Sequence, residues 1–172
     1  MVHTDKGMEV QGFTNADWAG SPLDRKRTSI AIVSVGSITI SSYNRKQISV
    51  ALSSIEVKYI VAIQATCEAI WMRKILVGLF NQQMDPTVIH CGNQSCIKLS
   101  ENLLFHDRSK HIDIKHHHLR DCVQKIIAML PYIPTREHDA DILAKALTRD
   151  EFEFHRSMIG VVQNRFLLKT KY

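Results

Sequence analysis

The stretch Ser29–Ser42, with the sequence SIAIVSVGSITISS, contains two runs of apolar and β-branched residues around a Val-Gly-Ser connection. Runs of this kind, bounded by a glycine, are typical of paired β-strands, so the stretch predicts a β-hairpin. Upstream, Val10, Gly12 and Thr14 alternate with polar neighbours, as expected for a strand with one buried face. The opening third of the chain is therefore predicted to be a three-stranded meander.

A long helix is predicted after the meander. From Ile55 to Phe80 the apolar residues recur at helical spacing, Ser53 or Ser54 offers an N-cap, and Pro86 interrupts the pattern. The later predicted elements are a strand at Thr87–Cys91, helices at Asn93–Glu101 and Ile112–Lys125, a strand at Ile126–Ile133, and helices at Asp139–Leu147 and Asp150–Ile159. Antiparallel strands followed by alternating strands and helices indicate an α/β fold, with one mixed five-stranded sheet flanked by helices.

The composition is that of an ordinary globular domain. Of 172 residues, 45% are hydrophobic, and 22 Lys and Arg against 17 Asp and Glu give a formal charge of +5. This excludes a disordered polar tail, and no apolar window is long enough to span a membrane. The start of the chain lacks an apolar signal core, so we expect an intracellular protein, in cytoplasm or nucleus, with four reduced cysteines. A sequence pI near 9.1 permits a polyanionic partner but does not establish one.

Several strings, in a fixed order, resemble the ribonuclease H domain that ends the polyprotein of copia-type LTR retrotransposons. They are Gly12–Gly20 (GFTNADWAG), Asp24–Ser29 (DRKRTS), Arg45-Lys46-Gln47, Ala51–Ile60 (ALSSIEVKYI), Cys91–Leu99 (CGNQSCIKL), Phe105–Arg120 (FHDRSKHIDIKHHHLR) and Tyr132–Leu147 (YIPTREHDADILAKAL). Independent strings at consistent spacing are more specific than one short motif. The resemblance implies a ribonuclease H-like domain over residues 11–148, with a polar extension at 1–10 and a C-terminal helix and basic tail at 149–172.

The resembled family hydrolyses the RNA strand of an RNA–DNA hybrid. Two divalent cations clamp the attacking water and the leaving oxygen, and four carboxylates hold the cations. In this chain three of the four corresponding positions are Asn15, Lys58 and Gly92, and Asp141 alone keeps its carboxylate. Asn15 is a neutral and weaker ligand, Gly92 has no side chain, and Lys58 places a cation where a cation must bind. The resemblance therefore implies a catalytically inactive domain that uses no metal cofactor.

Alternatives to this interpretation remain open at this stage. Asp17 shares a strand face with Asn15 and could supply the carboxylate that position 15 lacks. The chain would then be a residually active nuclease with a rearranged site, dependent on Mg²⁺ or Mn²⁺, that uses Asp17, Asp141 and Asp139. We also hypothesise that the Lys58 ammonium sits beside Asp141 in place of the metal. Random decay of a transposon relic would be the simplest alternative to that hypothesis.

The basic residues suggest a binding role for a domesticated domain of this kind. Those expected to flank the hybrid-binding face are Arg25, Lys26, Arg27, Arg45, Lys46, Arg108 and Lys110. Contacts of such side chains with phosphates carry much of nucleic-acid affinity. The expected partner is an RNA–DNA hybrid or another nucleic acid, or else an unknown protein, and not a membrane. The histidines of His111–His118 are predicted to form a solvated helix face and not a zinc site, since no matched Cys/His quartet accompanies them.

The resemblance gives a different interpretation of the formal charge of +5. Restoring the family's carboxylates would remove one unit at Asn15, two at Lys58 and one at Gly92, leaving +1 instead of +5. Most of the basic excess is therefore the lost acidic site, and not an added basic surface.

Overall fold

The structure is a computed structural model that describes residues 9–17, 27–47, 53–81, 83–101 and 113–161. Its strands are β1 (Val10–Asp17), β2 (Thr28–Val35), β3 (Ile38–Lys46), β4 (Thr87–Cys91) and β5 (Ala128–Met129). Its α-helices are α1 (Ser54–Phe80), α2 (Gln94–Glu101), α3 (Asp113–Gln124) and α4 (Arg149–Met158), and two 3-10 helices cover Thr135–Glu137 and Asp139–Leu143. Among the described helices, none combines the length and apolar character that a membrane span requires.

One mixed sheet organises the fold, in the spatial order β3-β2-β1-β4-β5. β1, β2 and β3 pair antiparallel, whereas β4 and β5 run parallel to β1. The predicted meander and the predicted five-stranded mixed sheet are confirmed. Because β1 and β4 are parallel neighbours, Asn15 near the end of β1 and Gly92 just after β4 lie at the same edge of the sheet.

Strand β2, which lies between β3 and β1, is buried on both faces, and this explains its nearly continuous apolar sequence. Ala31 and Val33 belong to the main core against α1, together with Tyr59 and Ile89. Ile30 and Ile32 face the opposite way. They pack against Ala140 and its neighbours in the 3-10 helix Asp139–Leu143. Packing on this second face holds the Asp139–Leu143 helix, and with it Asp141, against the sheet.

Helix α1 begins and ends where the sequence predicts. The Ser53 hydroxyl accepts a hydrogen bond from the Glu56 backbone N–H at 3.1 Å, and Asn81 closes the helix in the left-handed conformation. The buried side chains of α1 include Val57, Val61 and Ala65, which pack against the sheet. Lys58 follows Val57 near the start of α1, and both residues lie at the edge of the sheet where β1 and β4 end.

Two predicted elements are wrong in extent or type. The final strand is predicted over Ile126–Ile133, but β5 covers only two residues, and a single bridge between Cys91 and Tyr132 follows it. Pro131, which lacks an N–H, separates the two pieces. The segment predicted as a helix over Asp139–Leu147 is a 3-10 helix over Asp139–Leu143.

A buried pair joins α4 to this 3-10 helix. His155 Nδ1 lies 3.0 Å from Asp139 Oδ1, and both side chains are less than a tenth exposed. Burial raises the pKa of Asp139, while the hydrogen bond with His155 opposes that rise. A further backbone hydrogen bond runs from the Thr39 N–H to the Ile159 carbonyl at 3.3 Å. The C-terminal helix is thus tied both to the Asp139–Leu143 helix and to β3.

This pair generates a prediction about stability. We expect Asp139→Leu and His155→Leu each to lower the free energy of unfolding by about 1–3 kcal/mol, because each leaves a buried polar partner unsatisfied. The double variant should lose less than the sum of the two, since it removes both polar groups together. Urea denaturation of the four proteins at pH 7 measures the coupling, and strictly additive losses would contradict a direct Asp139–His155 interaction.

Candidate functional site

A cleft of about 280 Å³ opens at the edge of the sheet where β1 and β4 end. Three of its walls carry the positions at which the resembled family places metal ligands: Asn15 on β1, Lys58 on α1 and Gly92 after β4. Asp141, from the 3-10 helix, lines the same cleft. The described residues that complete the lining are Ala16, Arg27, Ser54, Val57, Thr135, His138, Ala144 and Lys145. The fold therefore brings the four sequence-predicted site positions together.

The Asp141 carboxylate is engaged on both oxygens. Oδ1 accepts a hydrogen bond from the Asn15 side-chain amide, and Oδ2 lies 2.6 Å from the Lys145 ammonium. The carboxylate is only 5% exposed, so these partners replace nearly all of its contact with water. Hydrogen bonds to a buried charge are among the stronger ones in proteins, and each contributes about 1.5–3 kcal/mol.

The orientation of the Asn15 amide follows from its two contacts. Its Oδ1 accepts from the Ala16 backbone N–H at 2.8 Å, while its Nδ2 donates to Asp141. The opposite orientation would place an amide oxygen against a carboxylate and an amide N–H against a backbone N–H. The Asn15 oxygen is thus committed to the backbone, and its N–H group faces the position from which the family's aspartate would bind a metal.

The hypothesis that Lys58 neutralises Asp141 is wrong in its choice of lysine. Within the described chain no hydrogen bond or ion pair joins Lys58 to Asp141, and Lys145 takes that role. Lys145 lies four residues after Asp141, and its backbone N–H also donates to the Asp141 carbonyl at 3.1 Å. The pair therefore forms within one turn of chain, whereas Lys58 reaches the same cleft from α1 without such a partner.

The ring of His138 lies where a side chain at position 92 would begin. A Cβ placed on Gly92 would be 3.2 Å from His138 Cδ2 and 3.6 Å from Nε2. His138 is 3% exposed, and neither ring nitrogen has a hydrogen-bond partner of normal geometry. Burial lowers the pKa of His138 to about 4, opposed by the nearby Asp141 carboxylate and the Thr14 backbone. The loss of the family's aspartate at position 92 and the presence of this imidazole are thus sterically linked.

These residues do not fit the pair of divalent cations that the ribonuclease H resemblance implies. Hard cations require several carboxylate or carbonyl oxygens. At this edge both Asp141 oxygens face donors of the protein, the Asn15 oxygen faces the backbone, and Lys58 brings a positive charge. In the described part of the chain, no group of three or more His, Cys, Asp or Glu residues converges to hold a metal.

Asp139 and Asp17 are the two carboxylates that the sequence offers as replacements for the lost ligands. Asp139 turns away from the cleft to His155, because residues two apart on a 3-10 helix point in different directions. The backbone of Asp17 pairs with Thr28, and its side chain lies outside what the structure describes. The geometry that a rearranged metal site would need from Asp139 is absent.

The predicted nucleic-acid-binding residues are placed only in part. Arg27 lines the cleft together with Lys58, and Arg45 and Lys46 lie on β3, which pairs with the strand that begins just after Arg27. The Arg45 guanidinium lies 5.7 Å from the centre of the Tyr43 ring. Arg25, Lys26, Arg108 and Lys110 fall outside the described residues. His117 and His118 are exposed on α3, as predicted, and the other histidines of that string carry no described side chain.

Lys145 and His138 are the functional candidates that the sequence reasoning missed. A signal for Lys145 existed, because a lysine four residues after an aspartate faces it on a helical turn. For His138 no sequence signal existed, because its role depends on facing Gly92, 46 positions earlier in the chain.

Relatives of the chain include transposon polyproteins of plants. It is 35% identical over 155 residues to the Retrovirus-related Pol polyprotein from transposon TNT 1-94 of Nicotiana tabacum, a match that covers 90% of this chain and 12% of the polyprotein. The corresponding polyprotein from transposon RE1 of Arabidopsis thaliana is 34% identical, with coverage of 91% and 11%. The chain thus spans about an eighth of the length of these relatives. No protein-family model matches the chain.

Solved structures with the same fold are ribonucleases H. The N-terminal ribonuclease H domain of a Mycobacterium tuberculosis protein superimposes with a TM-score of 0.56 at 11% identity and covers 88% of this chain and 98% of its own. LC11-RNase H1, isolated from compost by a metagenomic approach, gives 0.58 at 12% identity, with coverage of 80% and 93%. At such identities the likeness concerns the fold alone.

The sheet order and these structural neighbours define the class: the chain is an α/β domain with a ribonuclease H-like fold. With its plant relatives, it belongs to the ribonuclease H domains of copia-type retrotransposon Pol polyproteins, as the sequence resemblance predicts.

His138 generates a prediction about pH. Its pKa is lowered in the folded chain, so the folded state favours the neutral ring, and stability present above pH 6.5 should be lost as the pH falls toward 4. The shift corresponds to about 3 kcal/mol. The groups that act on the ring are Asp141, the Thr14 backbone, His90 and Lys145. His138→Leu should remove this part of the acid sensitivity, measured as the free energy of unfolding in urea between pH 7 and 4. Equal slopes for both proteins would contradict the buried neutral imidazole.

Proposed function

We propose that the chain is a catalytically inactive ribonuclease H-like domain that acts by binding nucleic acid, an RNA–DNA hybrid in the first place. The observation that carries the proposal is the closure of the Asp141 carboxylate by Asn15 and Lys145. A carboxylate whose oxygens both face protein donors offers little to a cation, and the two-metal reaction needs several such oxygens.

Charge supports a binding role. Arg27, Lys58 and Lys145 line the cleft with Asp141, so among its described lining residues cations outnumber carboxylates. Arg45 and Lys46 add basic residues on the adjoining strand β3. A surface of this sign attracts phosphates without first needing a metal to neutralise it.

A structural neighbour supports the choice of nucleic acid. A second structure of LC11-RNase H1, in complex with an RNA/DNA hybrid, superimposes on this chain with a TM-score of 0.53. By analogy, the hybrid would lie across the edge of the sheet where the cleft opens. The alternative of a residually active enzyme has less support, because Asp139 is committed to His155.

The direct test combines cleavage with binding. We expect a labelled RNA–DNA hybrid to stay intact with Mg²⁺ or Mn²⁺, and to bind in EDTA with an affinity that falls as the salt concentration rises. Fluorescence anisotropy over a series of salt concentrations measures the slope, and gel analysis of the same samples measures cleavage. Cleavage that Asp141→Asn abolishes would establish the residual nuclease instead, and the absence of hybrid binding would favour a role in protein contact alone.

Restoring the carboxylates tests why catalysis would be lost. We expect Asn15→Asp, Lys58→Glu and Gly92→Asp together to restore Mn²⁺ uptake in calorimetry, since the scaffold already places the four positions in one cleft. Adding His138→Ala should strengthen the uptake, because the Cβ introduced at position 92 would otherwise press against the imidazole at 3.2 Å. If neither variant took up Mn²⁺, the cause of the lost metal site would lie in the scaffold and not in these residues.

A further inference from the structure

We propose that this cleft binds a phosphodiester group of a nucleic-acid strand directly, without a metal ion, and that Lys58, Lys145 and His138 provide the contacts. The inference rests on the proposed nucleic-acid function and names the subsite within it. None of the three residues is a carboxylate like the ligands of the resembled family, so side chains of the protein would hold the phosphate directly and not through metal ions.

The charge of the lining favours an anion. Among the described residues that line the cleft, Arg27, Lys58 and Lys145 are positively charged and Asp141 is negatively charged. That one carboxylate is already matched by Lys145 and by the Asn15 amide, so it neither repels an incoming phosphate strongly nor remains available to a cation. These positive side chains line a concave site, where a field acts more strongly than on an open surface.

Lys58 is the first contact because of its position. It lines the cleft together with Asn15 and Gly92, and it is partly buried on α1. Among the described residues no hydrogen bond or ion pair engages its ammonium, which carries three donors. A partly desolvated ammonium held by a regular helix is a preorganised site for a phosphate oxygen.

Lys145 can contact the same anion without releasing Asp141. Its ammonium lies 2.6 Å from Asp141 Oδ2, and the side chain is 47% exposed. One of its three donors is used for the carboxylate, which leaves two for an oxygen in the cleft. The Asp141 pair therefore orients this ammonium for the ligand.

His138 supplies the independent sign of a ligand. Its ring is buried and lines the cleft, and apart from a weak contact with the Thr14 backbone it lacks a hydrogen-bond partner of normal geometry at either nitrogen. Buried polar groups are rarely left unpaired, because the missing hydrogen bond is costly. A neutral imidazole always carries one N–H, and a phosphate oxygen in the cleft would satisfy it. The Gly92 backbone leaves the space through which that ring edge is reached.

The size of the cleft limits what enters it. A volume of about 280 Å³ is at the lower end of the roughly 300–1,000 Å³ typical of ligand pockets. This suits a phosphate with part of its sugar, and leaves the bases outside. The subsite is therefore expected to be indifferent to sequence.

The first arm of the test uses inorganic phosphate as the probe. In EDTA, a phosphate titration followed by ¹H–¹⁵N NMR should shift the Asn15 side-chain amide and the Gly92 backbone amide in a saturable way. Lys58→Gln should weaken that binding about tenfold or more, as expected for the loss of one charged hydrogen bond. Lys125→Gln is the control for loss of a lysine charge away from the cleft, and it also matches Lys145, because Lys125 pairs with Asp121 four residues before it at the C-terminal end of α3.

The second arm measures binding of a labelled RNA–DNA hybrid in EDTA by anisotropy. Lys58→Gln should weaken affinity and reduce the salt slope by about one, and Lys125→Gln should leave both unchanged. The double variant Lys145→Gln, Asp141→Asn removes the second ammonium without exposing an unpaired carboxylate, and it should also weaken the binding of the hybrid. Urea denaturation of each variant verifies that the fold is retained.

The outcomes separate the subsite from the proposed function. If the hybrid binds all variants equally and phosphate shifts neither amide, the subsite is overturned while nucleic-acid binding stands. If phosphate binds through Lys58 but no hybrid binds, the cleft is an anion site for a free phosphate or a phosphomonoester, and the nucleic-acid assignment is overturned. If phosphate and hybrid bind only with added Mg²⁺, the metal-free contact is overturned.

Discussion

The hydrogen bonds and ion pair that hold the Asp141 carboxylate determine the character of the whole site. Asn15 reaches it from β1 and Lys145 from the chain just beyond it, so the contact joins the sheet to the segment packed on its second face. An isolated carboxylate at 5% exposure would be costly to fold, and in the resembled enzymes metal ions offset that cost. Here neutral and cationic donors of the chain itself do so. Because Lys145 neutralises Asp141, this carboxylate does not also neutralise the positive charge of Lys58 in the cleft.

Much of the fold could be predicted from the sequence because its signals are local and repeated. The double burial of β2 shows in the continuous apolar run of Ser29–Val35, and the helical spacing after Ser53 gives α1 within a residue or two. The errors fall in the last third, where short elements depend on tertiary contacts. β5 is reduced to two residues beside Pro131, and packing on Ile30 and Ile32 favours a 3-10 helix over the predicted α-helix.

The site could be located from the sequence more readily than its interactions could. The replaced ligands Asn15, Lys58 and Gly92 are visible once the resemblance is recognised, and the fold brings all three to one cleft. Which lysine meets Asp141 could not be deduced from that resemblance, since Lys145 had no role in the family motif to draw attention to it. The imidazole of His138 required three-dimensional information, because its significance lies in its contact with Gly92. The four units by which the formal charge of +5 exceeds that of a chain with the family's carboxylates belong to positions 15, 58 and 92, which all line this cleft.

Donors of the protein contact both oxygens of the Asp141 carboxylate, and paramagnetic broadening by Mn²⁺ tests most directly whether they exclude a metal ion. Mn²⁺ bound at this carboxylate would lie next to the Asn15 side-chain amide, whose NMR signal it would broaden beyond detection. We expect equimolar Mn²⁺ to leave the Asn15 signal as sharp as the signals of amides remote from the cleft. Selective loss of the Asn15 signal at substoichiometric Mn²⁺ would contradict it and would return the site to the metal-binding class.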